Sequence, residues 1–360
     1  MRVGLVIYGN LNTVSGGYLY DRKLVEHLQH AGEGVEIISL PLRNYVQHLT
    51  DNALPSFHSR LRDAQVDVLL QDELNHPSLF LVNARLRAQV RFPILSIVHH
   101  PRCLESHPGW LNLIYRLVER RYLASVDGFI LNSETTRQAV CKILGRSELP
   151  NSVVAYPAGD RFHPQITQNE IAARAMQSKA LRIVFVGNLI RRKGLHTLLD
   201  ALAQLPTDSW DLAVVGSPIV DAKYAQSIRK QIADHHLTKA RILGTLSDVE
   251  LAKVLTRSHV LAVPSDYEGF GIVYLEAMSF GLPAIATTHG AAREIITDGE
   301  NGYLVPPDNP ALLASRLLAL QSDRALLTQM GLAARARFLA HPTWEESMKK
   351  IRNKLIELTQ

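Results

Sequence analysis

Short apolar runs alternate with longer stretches in which apolar positions recur every three or four residues, and the alternation persists along the whole chain. A short run bounded by polar turns fits a strand buried on both faces, and the wider spacing fits a helix with one apolar side. On that reading strands fall at Val3–Ile7, Val35–Leu40, Val66–Leu70, Pro93–Val98, Asp127–Leu131 and Val153–Tyr156. A second series follows at Leu181–Val186, Asp211–Val215, Ala240–Leu243, Val260–Val263, Ala284–Ala286 and Gly302–Val305. Strand and helix in succession predict a doubly wound α/β architecture, because parallel strands need crossovers and the crossovers are usually helices. One interruption divides the pattern. Residues 163–180, with Pro164 and a polar, alanine-rich stretch from Gln168 to Ser178, read as an interdomain connection. The first domain then covers 1–165, the linker 166–180 and the second domain 181–343, with a final amphipathic helix at about 344–360 free to pack back on the first.

Length and composition narrow this picture. A chain of 360 residues is long enough for two separate cores. Hydrophobic residues make up 46% and charged ones 20%, the balance of a soluble globular protein. No stretch reaches the roughly 18 apolar residues of a spanning helix, and the first apolar run is too short for a signal sequence, so a cytoplasmic location is expected. Cys103 and Cys141 are too few for a disulfide framework and lack metal-ligand spacing; they read as small core or surface thiols. The formal charge of +5 suits phosphorylated ligands or an anionic membrane surface. Basic residues are dispersed, with no run that interleaves them with stacking aromatics, which argues against a nucleic-acid partner. Residues 110–123 form an amphipathic basic helix, with Trp110, Leu111, Leu113, Ile114, Leu117, Val118, Tyr122 and Leu123 beside Arg116, Arg120 and Arg121. It is read as a helix packed through its apolar positions; peripheral contact with an anionic bilayer on the inner membrane face is the alternative.

The densest chemistry lies at 263–276. An apolar strand ends at Pro264, a polar turn carries Gly269 and Gly271, and a helical pattern opens through Tyr274, Leu275, Ala277 and Met278. A helix start presents backbone N–H groups and the positive end of the helix dipole, a site for phosphate or diphosphate. Glu268 and Glu276 flank it, with seven residues between them. Ordinary capping would explain any one of these residues, but the combination points to a ligand. Polar groups collect at other strand ends too, the side on which open α/β sheets bind ligands. Gly16 and Gly17 follow the first strand, His99 and His100 follow the fourth, and Arg191, Arg192 and Lys193 follow the first strand of the second domain. The glycine loop is not a G-x-G-x-x-G fingerprint, so a nicotinamide enzyme is disfavoured.

The stretch from Pro264 to Pro283, with Glu294-Ile295-Ile296 and Gly299-Glu300-Asn301-Gly302, resembles the donor domain of the retaining glycosyltransferases of the group-1 family, glycosyltransferase family four. The likeness is specific over roughly 181–310 and rests on architecture and a few positions before that. It implies the GT-B architecture, two Rossmann-like domains facing a central cleft, the first on the acceptor side and the second binding the donor. It also implies transfer of a sugar from a nucleotide-diphosphate donor with retention of configuration, with no metal and no cofactor beyond the donor. By the same resemblance Glu268 and His99 meet the donor sugar at the reacting carbon, His100 being the rival of His99. Glu276 binds the ribose, and Lys193 with the backbone of Phe270, Gly271, Ile272 and Val273 meets the diphosphate. Gly16 and Gly17 match the glycine loop near diphosphate and acceptor. The family's usual Arg is Asn188 here, which leaves Arg191 or Arg192 to supply the charge. No Asp-x-Asp motif or His/carboxylate cluster stands out in the sequence. The acceptor stays open among glycan, lipid and small molecule. A sugar-nucleotide epimerase, or a non-catalytic nucleotide-sugar-binding partner protein, is the alternative.

Overall fold

A computed structural model describes residues 1–360 apart from Val14, Ser106 and Ser178. Val14 belongs to the first glycine loop and Ser178 to the predicted linker, so those positions of the two readings lie outside the described residues. Strands β1 (Arg2–Tyr8), β2 (Gly34–Leu40), β3 (Val68–Asp72), β4 (Ile94–Val98), β5 (Gly128–Leu131) and β6 (Ser152–Val154) form one sheet, in the order β2-β1-β3-β4-β5-β6. Strands β7 (Leu181–Val186), β8 (Trp210–Val215), β9 (Ala240–Gly244), β10 (Val260–Ala262), β11 (Ala284–Thr287) and β12 (Gly302–Val305) form the other, in the order β12-β11-β10-β7-β8-β9. Every pairing is parallel. Interior strands β3, β4 and β5 are buried at every position, while edge strands β2 and β9 alternate, as expected where helices cover both faces of a parallel sheet's centre. Strand β3 runs on past Leu70 because its polar end is satisfied: the Gln71 and Asn83 side-chain amides donate to each other at 2.9 and 2.8 Å.

The chain divides into two compact units, Met1–Pro157 with Pro342–Gln360, and Ala158–His341. Residues 166–180, expected as a linker, carry helix Gln168–Met176 in the second unit. Thr167 and Glu170 form a capping box at its start, and the Arg174 guanidinium donates to the Phe280 and Gly281 carbonyls at 2.9 and 2.8 Å. The final helix, Trp344–Thr359, belongs to the first unit. It buries Met348, Ile351 and Leu355, sets Trp344 edge-on to Tyr20 at 5.8 Å, and pairs Arg352 with Glu33 at 2.6 Å.

Helix Gly109–Leu123 departs from expectation. It packs through Tyr115, Glu119, Tyr122 and Leu123, and leaves Trp110, Leu113, Ile114 and Leu117 exposed. Of the apolar positions expected to pack, Tyr122 and Leu123 are buried and Leu111 and Val118 partly so, and the other four lie outside. Its core-facing side is held instead by two tyrosines and by a carboxylate that bonds backbone N–H groups. Among the described residues, no helix is long and apolar enough to cross a membrane.

Candidate active site

In the second sheet the strand order reverses between β7 and β10. The loops leaving these two strands lie side by side at their carboxyl ends, where open α/β sheets form ligand crevices. The β7 loop closes with the turn Arg191–Lys193 and Gly194, whose φ of +71° and close approach leave no room for a side chain: a Cβ there would collide with the Pro264 carbonyl of the β10 loop. Two further bonds join the loops. The Asp266 N–H donates to the Arg192 carbonyl at 2.8 Å, and Arg192 Nη1 donates to the Tyr267 carbonyl at 2.9 Å. The outcome is that Lys193 Nζ donates to both Glu268 oxygens, at 2.7 and 2.9 Å.

Burial opposes charge on both partners of this pair. For Glu268, the Lys193 and Arg192 cations outweigh burial and hold the carboxyl below its usual range. For Lys193, burial together with Arg192 outweighs the attraction of Glu268, and its pKa is lowered. Arg192 thus favours loss of a proton from both, as it would in a pocket prepared for anionic oxygen. Arg191 acts on His196 and, together with Arg192, on Asp266. Of the two candidates it is Arg192 that stands in the cluster, while the Asn188 Oδ1 accepts from the Ser217 N–H at 3.4 Å and ties the β7 loop to the β8 loop.

Helix Ile272–Ser279 starts immediately after this cluster. Gly271, at φ +95°, is its N-cap, and no side chain caps its first turn. Phe270 is buried just before it. Glu276 occupies the second turn, 6% exposed. Burial raises its pKa, Arg161 opposes the rise, and Asp248 adds to it. Arg161 Nε lies 3.1 Å from Glu276 Oε1, its Nη1 3.5 Å from Asp248, and its guanidinium 4.4 Å from the Phe162 ring centroid. Arg161 was missed in the sequence; its only local signal is a basic residue in a strand-end loop.

In the first unit, helix Gly16–His30 begins behind the N-cap Ser15, whose side chain accepts from the Tyr18 N–H at 3.3 Å. Gly17 lies against the His99 ring, where a Cβ would come within 3.1 Å of Cδ2. His99 Nε2 is 3.1 Å from Asp21 Oδ1, and the Asn132 amide donates to the His99 carbonyl at 2.8 Å. Burial alone would lower the imidazole pKa; Asp21, with Asp72 and Glu73, overturns that and raises it to about 9. His100 turns elsewhere, its Nε2 3.2 Å from Glu105. Asp21 is a second residue the sequence reading passed over.

The fold also corrects the expectation of no His/carboxylate cluster. It gathers Asp21, Asp72 and His99 in one group and Glu73, His76 and Glu119 in another, each with donor atoms within 4.8 Å of one another. These sets could hold a cation, and protons compete for the same positions: burial raises Asp72 and Glu73 to about 7 and Glu119 to about 8. The residues come from separate strands and helices, so no local motif announces them.

Residues 167–337 match the family model for glycosyl transferases group 1. The chain is 30% identical over 315 residues to the phosphatidyl-myo-inositol mannosyltransferase of Mycobacterium leprae, covering 85% of this chain and 77% of that one. The protein of the same description from Mycolicibacterium smegmatis is 27% identical over 372 residues, covering 95% and 89%. Among solved structures, sucrose-phosphate synthase from Thermosynechococcus elongatus aligns with a TM-score of 0.82 at 22% identity over 99% of this chain and 98% of that one. Anabaena HepE, in complex with UDP and glucose, aligns at 0.76 and 20%, over 99% of each chain. By sequence and by its two parallel six-stranded sheets, the chain belongs to the group 1 glycosyltransferases and has the GT-B fold.

Proposed function

We propose that this glycosyltransferase takes a sugar from a nucleoside diphosphate donor and transfers it with retention of anomeric configuration, with no metal ion needed to hold the diphosphate. The observation that carries the reading is the cluster of Lys193, Arg192 and Glu268 at the uncapped start of helix Ile272–Ser279, with Glu276 one turn further on. In this mechanism Glu276 accepts from the ribose hydroxyls, and the backbone of Phe270, Gly271, Ile272 and Val273 meets the diphosphate. Lys193 and Arg192 supply positive charge there, the part a divalent ion would otherwise take. Asn188 positions the loop, and Gly16, Gly17 and His99 of the first unit are proposed as further donor-binding or catalytic residues.

Charge grows on the diphosphate as the bond to the anomeric carbon breaks. Cations and helix N–H groups fixed beforehand stabilise that charge more in the transition state than in the ground state. The acceptor oxygen bonds the same carbon, and its proton passes to the departing diphosphate. Glu268, held ionised by Lys193, is unsuited to donate a proton at neutral pH; it is suited to accept bonds from sugar hydroxyls and to steady positive charge on the ring.

HepE's complex with UDP and glucose supports a nucleotide-sugar donor. The setting proposed for this reaction is the cytoplasm. A thermal-shift screen of UDP-, GDP- and ADP-sugars tests the donor, since a true donor raises Tm by mass action. NMR of the product in the presence of EDTA then tests anomer and metal together. An inverted product, or activity abolished by EDTA and restored by a divalent ion, overturns the corresponding part; an epimerised nucleotide sugar overturns the whole.

A further inference from the structure

Helix Gly109–Leu123 presents two unlike faces. Inward, Tyr115, Tyr122 and Leu123 are buried with Glu119, which accepts from the backbone N–H groups of Arg102 and Cys103 at 2.5 and 3.0 Å. Outward, Trp110, Leu113, Ile114 and Leu117 stand at i, i+3, i+4 and i+7, a single stripe, with exposures of 70%, 59%, 41% and 57%. Arg116, Arg120 and Arg121 follow towards the helix end, all exposed. Because Glu119 is the helix's single carboxylate and is turned inward, every exposed charge on the helix is positive. Nearby, Tyr45 packs against Tyr115 with ring centroids 4.6 Å apart, and its chain neighbours Leu42 and Val46 are exposed as well.

We propose that this face docks the protein onto an anionic lipid bilayer. The apolar stripe enters the boundary between headgroups and acyl chains, and the three arginines meet lipid phosphates. Charge chooses this occupant. A second copy of the same face would bring three arginines from each chain into one interface with no carboxylate from either helix to answer them. An anionic surface answers all of them and also accepts tryptophan at headgroup depth. The functional consequence rests on the transferase reading: an enzyme seated this way acts on an acceptor carried by the bilayer.

The test is cosedimentation of the full chain with vesicles of equimolar phosphatidylcholine and phosphatidylglycerol, and with phosphatidylcholine alone, at low and high salt. Binding is expected to the mixed vesicles at low salt, to fall with salt, and to be weak on phosphatidylcholine. A Leu113→Ser/Leu117→Ser variant is expected to lose binding. An Arg116→Gln/Arg120→Gln/Arg121→Gln variant should partition roughly a hundredfold more weakly, from the usual contribution of each basic side chain near an anionic surface. These positions are exposed, so both variants should keep the parent's melting curve. Thermal stabilisation by the nucleotide sugar should also be unchanged, so a failed donor assay and a failed vesicle assay are distinguishable. Absence of low-salt binding to the mixed vesicles overturns the proposal, as does equal binding by the variants. A concentration-dependent dimer abolished by the same serines also overturns it, by assigning the face to self-association.

Discussion

Glu276→Gln is the sharpest test of the donor site. The wild-type carboxyl is 6% exposed and faces Arg161 at 3.1 Å, so its orientation is fixed, while burial raises its pKa against the pull of Arg161. Two ribose hydroxyls donating to it would form charge-assisted bonds, each about 1.5–3 kcal/mol, against about 0.5–1.5 kcal/mol for neutral ones. Glutamine keeps the shape but offers one neutral acceptor and turns an N–H₂ toward donors. One bond is lost and the other weakened, a total of about 2–4 kcal/mol, or roughly 30- to 1,000-fold in Kd for the nucleoside diphosphate. Isothermal titration measures this, with the melting curve as the control for folding. A 2′,3′-dideoxy nucleoside diphosphate sharpens it, because it removes the same bonds from the other side. Wild-type protein should lose affinity for the dideoxy ligand, and the variant should lose little more. If the two losses simply add, Glu276 does not touch the ribose and the assignment is wrong.

Three further outcomes follow from the same geometry. Glu268→Ala should reduce kcat much more than donor affinity, whereas Lys193→Met should weaken donor binding and, by leaving Glu268 buried without its partner, lower stability by about 3–5 kcal/mol in denaturant unfolding; equal kinetic effects of the two would separate neither role. Asp21→Asn removes the main charge that raises the His99 pKa to about 9, so an NMR titration of the imidazole should move down from there, with burial opposed only by Asp72 and Glu73; an unmoved titration removes Asp21 from the site. Stability should also fall on the alkaline side. Asp72 and Glu73 at about 7, Glu119 at about 8 and His99 at about 9 all have folded pKa values above their unfolded ones. Their contribution is complete below the unfolded values, near ~4 for the carboxyls and ~6.5 for the imidazole, and is lost as pH rises through 7 to 9. A Tm independent of pH across that range refutes it.

Much of this was legible beforehand because it is local. Strands buried on both faces leave unbroken apolar runs, and the β10 loop writes its glycines and both acids within one short stretch. Arg161 was not legible, because what makes it matter is Glu276, which lies far along the chain and is brought to it only by the fold. Asp21 meets His99 in the same way. Residues 166–180 have linker composition, yet Arg174 reaches two carbonyls beyond the helix and holds the segment down. For helix Gly109–Leu123 periodicity identified the helix and the inward Tyr122 and Leu123 but not that Trp110, Leu113, Ile114 and Leu117 face outward, because Tyr115 and a satisfied Glu119 cover the core in their stead. A helical wheel counts hydrophobicity; it does not register a carboxylate whose bonds are made to backbone.

The return of helix Trp344–Thr359 to the first unit has a consequence for biosynthesis. The second unit lies between two stretches of the first, so its whole sequence is complete when residue 341 leaves the ribosome. The first unit is translated almost entirely before it, but at that moment it still lacks the helix that sets Trp344 beside Tyr20 and Arg352 beside Glu33. The usual order, in which the amino-terminal domain folds first, is therefore open to reversal: the later unit can reach its native state while the earlier one waits with part of its apolar surface uncovered.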